Sequence, residues 1–166
     1  MTLALARIDD RFIHGQVSVG WSRKLRADHI ILCNDEINGD PWQRRVYSST
    51  VAPPVKVSVV DRSGAAELLS APAADIGERV ILLVGGPVDM LDLVRRGVEI
   101  AEVNVGGMHY ARDKREMLEF VYVDRTDLTA LRRLLSAGVG LCAQQVPGSR
   151  TWRIDEQMLA EVEENL

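Results

Sequence analysis

His14 and Arg11 stand three residues apart in Arg7-Ile8-Asp9-Asp10-Arg11-Phe12-Ile13-His14-Gly15-Gln16-Val17, beside the acidic pair Asp9-Asp10. An imidazole can serve as nucleophile, general base or metal ligand near neutral pH. A guanidinium offers a planar fork of donors that suits phosphate oxygens. Gly15 allows a tight bend around a tetrahedral group. The first amides of a helix, here those of Gly15, Gln16 and Val17, favour an anion in front of them. These types at this spacing suit the binding or transfer of a phosphate-like anion. The competing reading is a structural histidine at a helix start, with Arg11 in an exposed ion pair with Asp9 or Asp10 that contributes little.

The elements on either side must hold this segment. Leu3–Ile8 reads as an apolar strand, and an amphipathic helix follows Gly15. Further strands are predicted at His29–Cys33, Val55–Val60, Arg79–Val84, Glu102–Val105, Glu119–Val123 and Gly140–Gln144. Most are unbroken Val/Ile/Leu runs, as in strands covered on both faces. Helices alternate with them. Asp40-Pro41 opens one through about Ser49, Ser63 one through Leu69, and Pro87 one stopped at Gly97. Thr126 or Asp124 opens another that ends at Gly138, and a last helix runs from about Asp155. The alternation predicts an α/β fold, an open and mostly parallel sheet. Ala52-Pro53-Pro54 and Pro147-Gly148-Ser149 are too short for linkers, so residues 1–166 read as one domain.

Ligands of open α/β sheets lie beyond the carboxyl ends of the strands. There stand Asp9, Asp10, Arg11 and His14; then Asn34-Asp35-Glu36, Asp61, Gly85-Gly86-Pro87 and Gly106-Gly107-Met108. A receiver-type phosphoaspartate at Asp61 would need a hydroxyl after the fourth strand and a lysine after the fifth. Val84-Gly85 and Val105-Gly106-Gly107 supply neither, so Asp61 reads as a turn or cap residue. Neither a Walker A loop nor a G-x-G-x-x-G fingerprint occurs. His29 begins its strand, at the opposite edge, and His109 has no Cys/His neighbours, so no metal and no cofactor are expected. A net charge of −4 with intermixed signs argues against a nucleic-acid partner. No apolar run reaches membrane-spanning length, and Cys33 and Cys142 read as buried free thiols, so a cytoplasmic setting is expected. Arg23, Lys24, Arg26, Arg44, Arg45, Arg112, Lys114 and Arg115 could rim the site and steer an acidic partner, or simply face solvent.

The His14 segment closely resembles the phosphorylation loop of the mannose/fructose/sorbose-family IIB components of the bacterial phosphoenolpyruvate-dependent sugar phosphotransferase system. Asn34-Asp35-Glu36, Val51-Ala52-Pro53-Pro54, Gly77-Glu78-Arg79-Val80 and Val103-Asn104-Val105-Gly106-Gly107-Met108 resemble that family in its order and spacing. The resemblance implies a seven-stranded sheet, six strands parallel and one antiparallel, with helices on both faces. It implies that His14 accepts a phosphoryl group on Nδ1 from a phosphohistidine of a IIA protein. The group then passes to a sugar translocated by membrane IIC and IID components. By the same likeness Arg11, with loop amides of Gly15 and Gln16, stabilises the transferred charge, Asp10 orients the imidazole and Asp9 holds the loop. Gly85-Gly86, His109 and Trp152 depart from the family pattern, Trp152 reading as a packing anchor. A stand-alone regulatory phosphoprotein, phosphorylated on His14 without a permease, is the alternative; oligomeric state and the identity of the sugar stay open.

A label carried on His14 is expected to survive alkali and to be lost in acid. An acyl phosphate on Asp61 would show the reverse, so acid and alkali treatment of the labelled protein separates the two.

Overall fold

Unbroken Val/Ile/Leu runs can bury both faces of a strand only if helices cover both sides of the sheet. That is the arrangement in the computed structural model, which describes residues 1–70 and 79–166, the side chains of Gln16 and Ser18 excepted. Among the described residues one sheet of seven strands takes the order β3-β2-β4-β1-β5-β8-β9. Its members are β1 (Thr2–Asp9), β2 (His29–Cys33), β3 (Lys56–Val60), β4 (Arg79–Val84), β5 (Glu102–Gly107), β8 (Gly140–Ala143) and β9 (Trp152–Arg153). All pair in parallel except β9, which runs antiparallel to β8. A separate hairpin, β6 (Arg115–Leu118) with β7 (Val121–Val123), follows β5.

The strand count agrees with the resemblance, but one member differs. Glu119–Val123, predicted as a sheet strand, supplies β7 of the hairpin and is linked to the segment after β5 by a bridge between Met108 and Val121. The seventh sheet strand is Trp152–Arg153. Two residues between a Gly-Ser turn and a helix cap carry no readable periodicity, and only their pairing with Cys142 and Ala143 makes them a strand. Of the Gly77-Glu78-Arg79-Val80 motif, the first two residues lie outside the described ones.

Right-handed crossovers decide which face each helix takes. The chain leaves β1 through a π-helical turn (Gln16–Trp21) that continues into α1 (Ser22–Leu25). With α2 (Asp35–Gly39) and α3 (Pro41–Ser48), these cover one face around Val17, Trp21, Ile30, Leu32, Ile81 and Leu83. On the other face lie α4 (Arg62–Ser70), α5 (Pro87–Arg95), α6 (Arg125–Ser136) and α7 (Glu156–Glu163), packed on Ile8, Ile31, Leu82 and Val105. Connections from β1 run toward β2 and those from β5 toward β8. The strand order therefore reverses between β1 and β5, which makes their carboxyl ends the expected ligand crevice.

Local chemistry ends the helices as their sequences suggest. Asp40, Asp124 and Asp155 accept backbone N–H bonds at the starts of α3, α6 and α7, and Asp127 completes a capping box with Asp124. At α4 the cap is Asp61, which accepts from the Gly64 amide at 2.7 Å, rather than Ser63. Cys33 and Cys142 are buried free thiols, their pKa values pushed up by burial to about 12 and about 11.

Candidate functional site

In a strand, side chains two residues apart share a face. Arg7 and Asp9 therefore emerge together from the last turns of β1, on the α1 side, and both side chains are fully buried. Arg7 donates to the Asn104 side chain, to the backbone carbonyls of Gln144 (2.9 Å) and Gln145 (2.8 Å), and to Asp9 Oδ2 (3.2 Å). Its guanidinium also lies 5.1 Å from the centre of the Trp21 ring. Space for it comes from β5. Pairing of β1 with β5 skips Gly106, and a Cβ on Gly106 would overlap the Arg7 guanidinium outright.

The Asp9 carboxylate gathers the loop that follows. Oδ1 accepts from the Arg11 amide (3.1 Å) and Arg11 Nε (3.0 Å), and Oδ2 from Arg11 Nη2 (3.0 Å). His14 Nε2 lies 3.1 Å from Oδ2. Burial alone would raise the Asp9 pKa. The hydrogen bonds from Arg11 and His14 and the charges of Arg7 and Arg11 overcome it and hold the carboxyl below its ordinary range. Burial lowers the pKa of Arg7, against the pull of Asp9, but a guanidinium stays charged throughout the working range.

Between Asp9 and His14 the chain turns sharply. The Phe12 amide bonds the Asp9 carbonyl at 3.0 Å, and Phe12 itself takes the left-handed conformation (φ 57°). For a side chain with a Cβ this costs about 1–2 kcal/mol, so surrounding packing has to hold it. The Phe12 ring stacks edge-on to Tyr47 and rests over Gly85, where a Cβ would come within 3.0 Å of it. The small residue at position 85 thus seats the loop. His14 then stands at the helix entrance, about one-fifth exposed. Its carbonyl accepts the Val17 amide at 3.0 Å, so that amide closes the first turn.

A carboxylate on Nε2 fixes the tautomer. If Nε2–H donates to Asp9, the in-plane lone pair of the neutral ring is on Nδ1. The residue on the imidazole is Asp9, whereas the resemblance had suggested Asp10 in that place. Asp10 points to the next loop: its Oδ2 accepts the His109 amide at 2.7 Å, and His109 Nδ1 lies beside Oδ1. The strand continues one residue beyond the predicted Ile8, and pleating sends consecutive carboxylates to opposite sides. Arg7 and Asn104, both buried, were not read as site residues. The available signals were a cation and an amide inside apolar runs, with Arg7 and Asp9 two apart.

Other strand-end residues serve structure. Asn34 caps α2 through the Ile37 amide, and Asp35 binds Arg62 at 2.9 Å. His29 sits at the far edge, bonded to Ser58 at 2.8 Å, with its pKa lowered by burial. Of the basic residues considered for a rim, Lys114 pairs with Asp127 and Arg115 donates to the Asn165 carbonyl. Among the described residues no group of three or more His, Cys, Asp or Glu side chains is placed to hold a metal ion. No described helix is long and apolar enough to cross a membrane.

Residues 3–165 match the family model for the "PTS system sorbose subfamily IIB component". The sorbose-specific EIIB component of Klebsiella pneumoniae is 40% identical over 141 residues, 85% of each chain. A mannose-specific EIIAB component of Escherichia coli K12 is 37% identical over 146 residues, which are 88% of this chain and 45% of that longer one. The crystal structure of the IIBSor domain of the Klebsiella pneumoniae sorbose permease superposes with a TM-score of 0.88 at 36% identity, covering 100% of this chain and 99% of that one. Fold and site together define a IIB phosphocarrier component of a sugar phosphotransferase system. The chain belongs to the sorbose subfamily of those components. A regulatory phosphoprotein without a permease finds no support among these relatives.

Two substitutions test the buried pair. Gly106→Ala is expected to destabilise the protein by about 3–5 kcal/mol, since the new methyl displaces Arg7 from its partners. Gly86→Ala, where a Cβ meets nothing within 4 Å, should stay within about 0.5 kcal/mol in the same urea titrations. Asp9→Asn removes the charge between two guanidinium groups and should cost about 3–5 kcal/mol near pH 7. The Asp9 pKa is lowered on folding, so its contribution is complete above the unfolded value of about 4 and fades as pH falls through the folded value. The stability gap between wild type and Asp9→Asn should therefore narrow in acid; a gap constant down to about pH 2 would show that the charge of Asp9 is not its source.

Proposed function

We propose that His14 is the phosphoacceptor of this chain. It accepts a phosphoryl group on Nδ1 from a phosphohistidine of a IIA protein and passes it to a sugar brought in by membrane IIC and IID components. The observation that carries this reading is the contact of Nε2 with Asp9 Oδ2 at 3.1 Å, on an imidazole at the strand-order switch point. When Nδ1 attacks phosphorus, the bond from phosphorus to the donor nitrogen breaks and the acceptor ring becomes cationic. The Asp9 carboxylate offsets that charge as it forms. Arg11, held by Asp9 in a two-pronged pair, supplies positive charge for the phosphoryl oxygens, with the Gly15 and Gln16 amides at the helix entrance. Phosphoryl transfer asks for alignment and charge stabilisation more than covalent machinery, and no metal is required between two imidazoles.

A IIA partner is supported by the EIIAB relative, whose name joins the two activities in one longer chain. The permease partner is supported by the IIBSor structure, described as a domain of a sorbose permease. We read residues 1–166 as one IIB domain, in line with the family match over residues 3–165, and propose a cytoplasmic setting, where a IIA protein would present its phosphohistidine.

Labelled phosphate passed from phosphoenolpyruvate through the general phosphotransferase proteins and a IIA protein tests the reading. His14→Ala should take up no label; uptake at the wild-type rate would refute it. Arg11→Ala should fold and transfer about 10²-fold more slowly, whereas an unchanged rate would reduce Arg11 to an ion pair.

A further inference from the structure

Three nitrogens converge on Asp9 Oδ2: Nη2 of Arg7 (3.2 Å), Nη2 of Arg11 (3.0 Å) and Nε2 of His14 (3.1 Å). The two guanidinium groups are held differently. Arg11 sits on the turn with its side chain about one-third exposed, where an arriving phosphoryl group competes with Asp9 for its charge. Arg7 has no exposed side-chain surface, and Asn104 Oδ1 with the carbonyls of Gln144 and Gln145 fixes the rest of its fork. Its Nε is buried without an acceptor among the described residues. A buried ion pair with a donor left over adds little stability relative to apolar side chains of the same volume. The arrangement suits control of the charge at Asp9 better than support of the fold.

A carboxylate beside an imidazole favours the protonated ring, and a protonated ring has no lone pair with which to attack. Asp9 can therefore disable the group that it orients. We propose that Arg7 is a positioning residue for phosphoryl transfer: its fixed charge answers Asp9 throughout the reaction, so that the carboxylate orients the His14 ring without protonating it. The inference rests on His14 as phosphoacceptor. Arg7 matters most when Arg11 turns to the phosphoryl oxygens, because Asp9 would otherwise face the ring alone. As Nδ1 bonds phosphorus, the donor nitrogen leaves with its electron pair, while Nε2 keeps its proton and its contact with Asp9. The other charges nearby are turned elsewhere. Lys24 lies 5.8 Å from the centre of the Trp21 ring, and Asp10 pairs with His109. From β5 and the end of β8 come the neutral Asn104 side chain, Gly107 and two backbone carbonyls.

The test follows uptake of label from a phosphorylated IIA protein across pH, in the full chain and in Arg7→Met, Asp9→Asn and the double variant. Circular dichroism checks that each is folded. At saturating donor and pH 7, Arg7→Met is expected to be about tenfold slower, with the half-saturating donor concentration unchanged because Arg7 is buried. The acid side of its pH–rate profile should move to higher pH by about one unit. Asp9→Asn should move the profile to lower pH, and adding Arg7→Met should bring it back up. That second comparison isolates the charge of Arg7 even where Arg7→Met alone does not fold. A rate loss equal at every pH, a profile that stays in place, or failure of both Arg7→Met and the double variant to fold would make Arg7 a structural residue and overturn the proposal. The labelled residue of the wild-type chain is identified on the same preparation. Label on His14 with an unmoved profile rejects only the role of Arg7; no label on His14 removes the phosphoacceptor reading and this inference with it.

Discussion

A carboxylate stripped of water is expensive, by several kcal/mol even after relaxation, unless charge and hydrogen bonds replace the water. Asp9 is such a group, and its replacements come from both sides along the chain. Arg7 reaches it from within the same strand, Arg11 from the turn that follows, and His14 from the mouth of the helix. Arg7 in turn ties in Asn104 on β5 and the carbonyls after β8. The ends of three strands and the entry of the first helix thus meet at one anion. The Gly106 bulge, the left-handed Phe12 and the small residue at 85 make room for that meeting.

The same arrangement explains how a histidine can be both well placed and able to give its cargo away. Asp9 takes up Arg11 through two prongs, so the charge Arg11 offers to a phosphoryl group is already partly answered. An anion site of that kind aligns oxygens without gripping them. On the proposed reading this suits an intermediate that has to be released, and the cationic ring formed on the way finds its counter-charge on Asp9.

Much of the fold was legible because it depends on local signals. Val/Ile/Leu runs, the Asp40-Pro41 start and the stops at Gly97 and Gly138, both with φ near +90°, report on nearest neighbours along the chain. Where pairing partners lie far apart in sequence, legibility fell. Trp152–Arg153 is a strand only because Cys142 and Ala143 lie beside it, and the apolar run at Val121–Val123 left the sheet for a hairpin. The site divides in the same way. His14, Arg11 and the helix entrance are contiguous and could be read as an anion site. Their dependence on a buried Arg7 could not be read, because Asn104, Gly106, Gln144 and Gln145 arrive from about a hundred residues or more away.

The sequence by itself determined the open α/β class, the helix starts at Asp40 and Asp155 and a histidine–arginine loop at a strand end, since periodicity, caps and turn residues act over a few positions. Only the tertiary structure decided which of two adjacent carboxylates meets the imidazole. Pleating turns Asp9 toward Arg7 and His14 and Asp10 toward His109. That choice depends on how far β1 runs before it turns, and the pairing with β5 sets that length.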